Sequence, residues 1–432
     1  MDYIQAKEYI HSLLKFGSNP GLERIRALTE LMGNPQDGLK YIHVAGTNGK
    51  GSVCTMLSNI FRKAGYRTGL FMSPYVIDFC ERIQVDNVPV DGAELGKLVE
   101  KIKPLCEQCA ENGLQPTEFE VITALAFRYF RDKNCDIVIL ETGLGGLYDS
   151  TNIIKNPLVS VITQISIDHT SVLGNTTAEI AVQKCGIIKP DGITVTIPTQ
   201  DEAALTVIMS HAAQKRNRLI MPGANSAEIL KMDAGGTTFT YGDLTVELPL
   251  LGRHQVANAV TAIEAARAAA SVSSLKISDG DIISGIKSSS IPARVQLVSS
   301  DPPVLVDGAH NENGAQALEE ALKHYFKNKK LTAVVGILRD KKYNEMLRHT
   351  GYLFERMLTV TPDNPRALTA SELAQAASKV CGNVSAAGSV REALKLAVSG
   401  CGDDSAVIVY GSLYLAGEVL KLLGEKGDIH AI

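Results

Sequence analysis

Residues 39–65, LKYIHVAGTNGKGSVCTMLSNIFRKAG, constrain the fold more than any other stretch of this chain. An apolar run ends in a glycine, a glycine-rich turn follows, and a helical pattern continues to Gly65. A strand feeding a helix through such a turn sets the helix N-terminus beside the strand end. Unpaired N–H groups and the positive end of the helix dipole then face one point, which is the geometry of a phosphate site. The spelling departs from the common loop G-x-x-x-x-G-K-[ST], because Val44 falls where the first glycine belongs and Gly51 separates Lys50 from Ser52. Three glycines with Lys and Ser in one helix-opening turn nevertheless exceed what a plain tight turn needs. Thr47, Asn48, Gly49, Lys50, Gly51 and Ser52 are therefore the expected nucleotide contacts. Lys50 would reach the β- and γ-phosphates, and the Ser52 hydroxyl would hold Mg2+.

The pattern repeats along the chain. YRTGLFMS (66–73), CDIVILET (135–142) and PLVSVITQI (157–165) are continuous apolar runs of the kind buried on both faces of a parallel sheet. Strands alternating with helices predict a doubly wound, mostly parallel α/β domain. GTTFTYGDLTVELPL (236–250) alternates around a Tyr-Gly-Asp turn and reads as a small β hairpin. After a helix at 254–270 the chain turns serine-rich, in SVSSLKISDGD (271–281) and SSSIPARVQ (288–296), which reads as a linker. A second alternation follows in PPVLVDGAH, LTAVVGIL, RMLTV and SAVIVYGS. The expected domains are 1–294, an ATP-binding domain, and 295–432, a Rossmann-like α/β domain. The latter lacks G-x-G-x-x-G after its first strand, so dinucleotide binding is not expected.

Composition excludes several classes. A net charge of −4 gives no electrostatic footprint for nucleic acid. No apolar run reaches the roughly 18 residues of a membrane span, and MDYIQAKEYI does not read as a signal peptide. With 8 scattered cysteines the expectation is a reduced, cytoplasmic protein. Cys106 and Cys109 form a lone C-x-x-C inside a helical pattern whose face carries Leu95, Leu98, Ile102, Leu105 and Cys109, so they read as packing residues.

Other strand ends supply what a magnesium–nucleotide site lacks. Ser73 follows GLFMS, Glu141 closes CDIVILE ahead of the glycine turn TGLGG, and His169 follows VITQISIDH. Ligands of open α/β sheets bind at the carboxyl ends of the strands, so Ser52, Ser73, Glu141 and His169 are expected to converge.

HVAGTNGKGS, SPYVIDFCERI, ETGLGG, DHTSVLG, KCGIIKP, GRHQVANAVTA, PAR and DGAHN occur in an order that resembles the folylpolyglutamate synthase and dihydrofolate synthase family of the Mur ligase superfamily. The resemblance runs from GLERI at residue 21 to GSLYLAGE at 411–418. It implies an ATP-dependent ligase that joins L-glutamate to the γ-carboxylate of folates, to dihydropteroate, or to both, through an acyl phosphate. Two anions meet in that chemistry, so Lys50 and two Mg2+ ions would screen them. Carried over by position, Ser52 and Glu141 would ligate the first Mg2+, and Ser73, Glu141 and His169 the second. Lys184 would stand where the family carries a carbamylated lysine. Asn258, Arg294 and Asp307 would contact ATP, while Arg82, His310 and Ser412 would contact substrate, His310 near the incoming amino acid. The catalytic set would be Lys50, Lys184 and His310, in a protein acting as a monomer.

Departures from the family's usual spelling fall at Tyr75, Cys80, Leu147, Gln183, Cys185 and Glu312, none of them a proposed metal or phosphate contact. Two other readings stay open. A Mur-type ligase acting on a cell-wall precursor would need a nucleotide-sugar domain before the loop, where only about 42 residues stand. A non-catalytic ATP-binding regulator would be expected to have lost the ligand residues, which are present.

Overall fold

The structure, a computed structural model, describes residues 1–17 and 20–426. Among the described residues the strands form three sheets. The eight-stranded sheet runs in the order Val88–Pro89, Ile83–Val85, Thr68–Phe71, Ile137–Glu141, Tyr41–Ala45, Val159–Ile162, Ile193–Thr196, Arg218–Ile220. Its last six strands are parallel, and the first two fold back antiparallel. The fold-back turn is Asp86-Asn87, both at positive φ, as a tight hairpin requires. Every residue of Tyr41–Ala45, Ile137–Glu141 and Val159–Ile162 is buried, which explains why their sequences are mostly apolar.

Helices pack against this sheet, and two apolar cores lie side by side on the face that Tyr41 and Ala45 share. One core gathers Ile10, Ile25, Val99, Phe127 and Phe130 from the N-terminal helices against Phe71, Val138 and Leu140. The other gathers Ile180, Ala181, Ala204 and Ile208 against Ala45 and Ile162. Each fully buried Val, Leu, Ile or Phe among them contributes about 1.5–3 kcal/mol. Cys106 and Cys109 lie in the first core, inside the helix Gly92–Glu111. Burial pushes the Cys106 thiol up to about 12, as suits an inert packing residue. No helix among the described residues is long and apolar enough to cross a membrane.

The chain groups into two compact units. The first comprises 1–228, 240–247 and 257–289, and the second 229–239, 248–256 and 290–432. The serine-rich stretch at 271–281 is not a linker. It leads into the helix Asp279–Lys287, capped by Ser278 in a capping box with Asp281 and packed against the helix Lys50–Lys63. The S-x-x-D cap was visible in the sequence, and the serines outweighed it. The hairpin at 236–250 is present and is joined by Ala227–Asp233 into a three-stranded sheet.

The second unit holds a six-stranded sheet in the order Gln296–Ser300, Pro303–Val306, Ser405–Tyr410, Lys330–Val335, Arg356–Thr359, Val384–Ala386, parallel except for its first pair. Its core includes Leu305, Ala333, Ile408 and Tyr410, with the Tyr410 ring stacked on Phe354 at 5.7 Å.

Candidate active site

Strand register builds the site. Val44 pairs with Glu141 on one side and Val161 on the other, so the phosphate loop leaves the sheet between the strand that ends at Glu141 and the strand that leads to His169. The loop is held open by its backbone: Thr47 and Asn48 donate their N–H groups to Gln164 O, and Thr163 Oγ1 donates to Asn48 O at 2.7 Å. Gly49 caps the helix Lys50–Lys63 in the left-handed conformation, φ +85. A Cβ there would also strike the Asn258 amide, so both conformation and space demand glycine.

Lys50 donates to Gly46 O at 3.1 Å and Thr47 O at 3.3 Å, and its Nζ stands 3.9 Å from Glu141 Oε1. Glu141 is buried and its Oε2 accepts the Ser73 N–H at 3.1 Å. Ser52 is buried in the first turn of the loop helix. Ser73 Oγ is buried with no hydrogen-bond partner, a state that costs about 1–3 kcal/mol unless a ligand completes it. The structure thus brings Lys50, Glu141 and Ser73 together. His169 begins the short helix Thr170–Leu173 at φ +50, half-exposed, with Nε2 4.0 Å from Asp168 Oδ1.

Lys184, the last residue of the helix Thr177–Lys184, is 3% exposed and donates to Gly46 O at 2.7 Å. It therefore shares that carbonyl with Lys50. Burial, reinforced by the Lys50 ammonium and opposed by Asp168 and Asp149, pushes the Lys184 amine down to about 7. Around it, Leu147 N donates to Gln183 O at 2.7 Å, and Cys185 is fully buried.

Arg82 belongs to a different cluster of the first unit, its guanidinium 5.3 Å from the Tyr75 ring and 5.6 Å from the Phe79 ring. The second unit carries Arg294, Asp307, His310 and Ser412 at and before the ends of its strands. Both Asp307 oxygens accept backbone N–H groups, from Val295 at 2.7 Å and Ala309 at 2.8 Å. Burial raises the Asp307 carboxyl, and the Arg294 guanidinium opposes that. His310 Nδ1 bonds Gly308 O at 2.8 Å. Ser412 Oγ accepts Leu415 N–H at 3.1 Å, at the start of the helix Leu413–Lys426.

A buried group that sequence reasoning missed lies behind the loop: His43, Thr151 and Asp149 form one hydrogen-bonded chain. A polar residue inside an apolar strand was the available signal at His43.

Residues 44–266 match the Mur ligase middle domain and 293–413 the Mur ligase glutamate ligase domain. The dihydrofolate synthase/folylpolyglutamate synthase of Bacillus subtilis is 38% identical over 98% of this chain and 99% of its own length. The chain belongs to the folylpolyglutamate synthase and dihydrofolate synthase family of Mur ligases. The folylpolyglutamate synthase of Lacticaseibacillus casei is 35% identical, over 99% of this chain and all of that protein. Among solved structures, Mycobacterium tuberculosis folylpolyglutamate synthase complexed with ADP superposes with a TM-score of 0.89 at 31% identity, over 98% of this chain and 99% of that one. An E. coli FolC structure with DHPP and ADP gives 0.86 at 29%, over 98% of each chain. Nucleotide complexes thus recur among family members that share this fold from end to end.

The donor set fits Mg2+, which favours hard oxygen ligands and retains several waters. Glu141, the Ser52 hydroxyl and the unpartnered Ser73 hydroxyl are such oxygens. Among the described residues no three His, Cys, Asp or Glu side chains form a metal cage.

Proposed function

We propose that this chain ligates L-glutamate to the γ-carboxylate of a folate, or to dihydropteroate, at the expense of ATP. The observation that carries the reading is the Lys50–Glu141–Ser73 constellation on a helix-opening glycine loop, in a chain whose relatives bear both enzyme names. The phosphate loop would orient the triphosphate through its N–H groups, with Asn258, Arg294 and Asp307 as further nucleotide contacts. Lys50, already within a few ångströms of Glu141, would neutralise the transferring phosphoryl group as the substrate carboxylate attacks it. Glutamate's amine would then displace phosphate from the acyl carbon, with His310, Ser412 and Arg82 on the substrate side. Two Mg2+ ions, held by Ser52 and Glu141 and by Ser73, Glu141 and His169, would supply further charge neutralisation.

Lys184 fits a carbamate. Its amine, buried and held near 7, is about half uncharged at neutral pH and so able to add CO2. The resulting anion would face Lys50 and order the Mg2+ ligands around it.

ADP release measured with dihydropteroate and with tetrahydrofolate, each with and without glutamate, tests the reading and separates its two forms. Release that depends on glutamate and on either pterin substrate supports it. Turnover indifferent to both pterin substrates would sink it.

A further inference from the structure

His43 lies in the centre of the first sheet, on the strand that becomes the phosphate loop, and is fully buried. Its Nε2 is 2.8 Å from Thr151 Oγ1. Thr151 Oγ1 in turn donates to Asp149 Oδ1, which also accepts the Thr151 N–H at 3.0 Å. Because the threonine proton is committed to the carboxylate, the imidazole must donate, which fixes the Nε2–H tautomer of His43. Burial keeps that ring neutral, pushing it down to about 3 with help from Lys189. His43 Nδ1 then has no hydrogen-bond partner among the described atoms, so the ring is retained at a cost.

The far end of this hydrogen-bonded chain is the turn that follows Glu141. Asp149 Oδ2 accepts the Leu144 N–H at 2.8 Å, and Asp149 N donates to Gly146 O at 3.2 Å, so the residue clasps the turn Gly143–Gly146 that follows Glu141. Gly146 packs on the end of the Lys184 helix so closely that a Cβ would stand 2.7 Å from Lys184 O and 2.9 Å from Gln183 O. One buried polar line therefore joins the strand entering the phosphate loop to the turn leaving Glu141, and that turn packs directly on the helix end bearing Lys184.

We propose that His43 and Thr151 are positioning residues for the ligation, acting through Asp149 to hold the Gly143–Gly146 turn, and with it Lys184, against the phosphate loop. The inference rests on the ligase reading above. Asp149 and Thr151 are also buried, and four donors to one carboxylate is more than a surface turn needs. Partners at this remove from the reacting groups typically cost 10- to 100-fold in activity when cut. ATP affinity should be spared, because the loop's own N–H groups and helix terminus supply it.

Steady-state kinetics and ADP calorimetry on four variants of the full chain test this. Thr151→Val removes the hydroxyl at constant shape and should lower kcat about 10- to 100-fold, with the Kd for ADP in CO2-free buffer unchanged. Thr151→Ser, which keeps the hydroxyl, should restore kcat. His43→Leu and His43→Gln form the equivalent pair, since the glutamine amide still donates. Wild-type kcat in Thr151→Val, or a loss that Thr151→Ser fails to restore, would overturn the proposal. Should both disruptive variants fail to fold, Thr151→Ser and His43→Gln still decide it: near-native kcat supports the relay and a large loss in either overturns it. A readout apart from turnover is the 13C signal of a Lys184 carbamate in labelled bicarbonate, expected in wild type and weakened in Thr151→Val. Absence of that signal from wild type would remove the carbamate and leave the kcat comparison to judge the relay.

Discussion

Both parallel sheets of this chain end their strands in glycine turns and polar side chains, but the two regions spend those side chains differently. In the second unit the polar groups are committed to the backbone. Asp307 accepts two N–H groups, Asn311 accepts Gly314 N–H at 2.8 Å, and Ser412 accepts Leu415 N–H. In the first unit that commitment is incomplete, although Glu141 accepts the Ser73 N–H. Ser73 Oγ is buried without a partner, and Lys50 and Lys184 rest on neutral carbonyl oxygens. Unmet hydrogen-bonding capacity in a buried place costs stability, so it marks where a ligand is expected to complete the set. The first region should therefore yield variants that lose turnover and keep their fold, and the second variants that lose stability first.

The largest effect expected is at Lys184. Lys184→Ala should lose about 10³-fold or more in ADP release, beyond the loss of a single stabilising donor. Acetate should restore part of it by filling the vacated anion position. Full activity in the variant would erase the contrast at its strongest point. Lys50→Ala should follow, at about 10²- to 10³-fold in kcat with an unchanged melting temperature; an equal fall in thermal stability would make the loop lysine structural after all.

Lys184 also predicts a pH dependence with a definite sign. The folded chain holds this amine near 7 against an ordinary 10.5, so between those values the unfolded chain binds a proton that the folded chain does not. Stability should rise with pH across that window, by an amount on the order of 3 kcal/mol. Urea unfolding in CO2-free buffer without Mg2+ should show wild type gaining on Lys184→Met between pH 7 and pH 10. Parallel curves would mean that the amine is not held down.

Glu141→Gln keeps shape and loses charge. It should cost about 10- to 100-fold in rate and raise the Mg2+ concentration at half-maximal rate, and an unaltered Mg2+ titration would refute the ligand set. The smallest effect belongs to the second unit. Asp307→Asn presents an N–H to one of two backbone donors, so it should lose about 1–3 kcal/mol of stability in thermal unfolding. A variant as stable as wild type but unable to bind nucleotide would show that Asp307 is reserved for ligand, as the first unit's groups are.

How much of this was legible in the sequence follows from range. The loop, its strand and its helix are local, and glycines with a lysine and serine at a strand end announce them. Ile137–Glu141 and Val159–Ile162 were readable because burial on both faces leaves apolar runs. The short strands Ile193–Thr196 and Arg218–Ile220 carry three or four residues each and little pattern. The helix Asp279–Lys287 was obscured by its serines, although its cap was spelled out. The site residues were gathered by topology and by resemblance, since nothing local at Ser73 shows that its hydroxyl will be left without a partner. The relay through His43 is the hardest case. His43 and Thr151 lie 108 residues apart, and only the tertiary fold brings them within a hydrogen bond.

The Gly46 carbonyl, on which both Lys50 and Lys184 rest, has a thermodynamic consequence. A triphosphate that draws Lys50 off that oxygen changes the field at Lys184, and a carbamate formed at Lys184 changes the field at Lys50. The two events are then linked functions of one another. Whatever factor bicarbonate adds to nucleotide affinity, the nucleotide must return to bicarbonate affinity, because the free energy around the closed cycle is zero. A single backbone oxygen would thereby tie the occupancy of the nucleotide site to the dissolved CO2 of its surroundings.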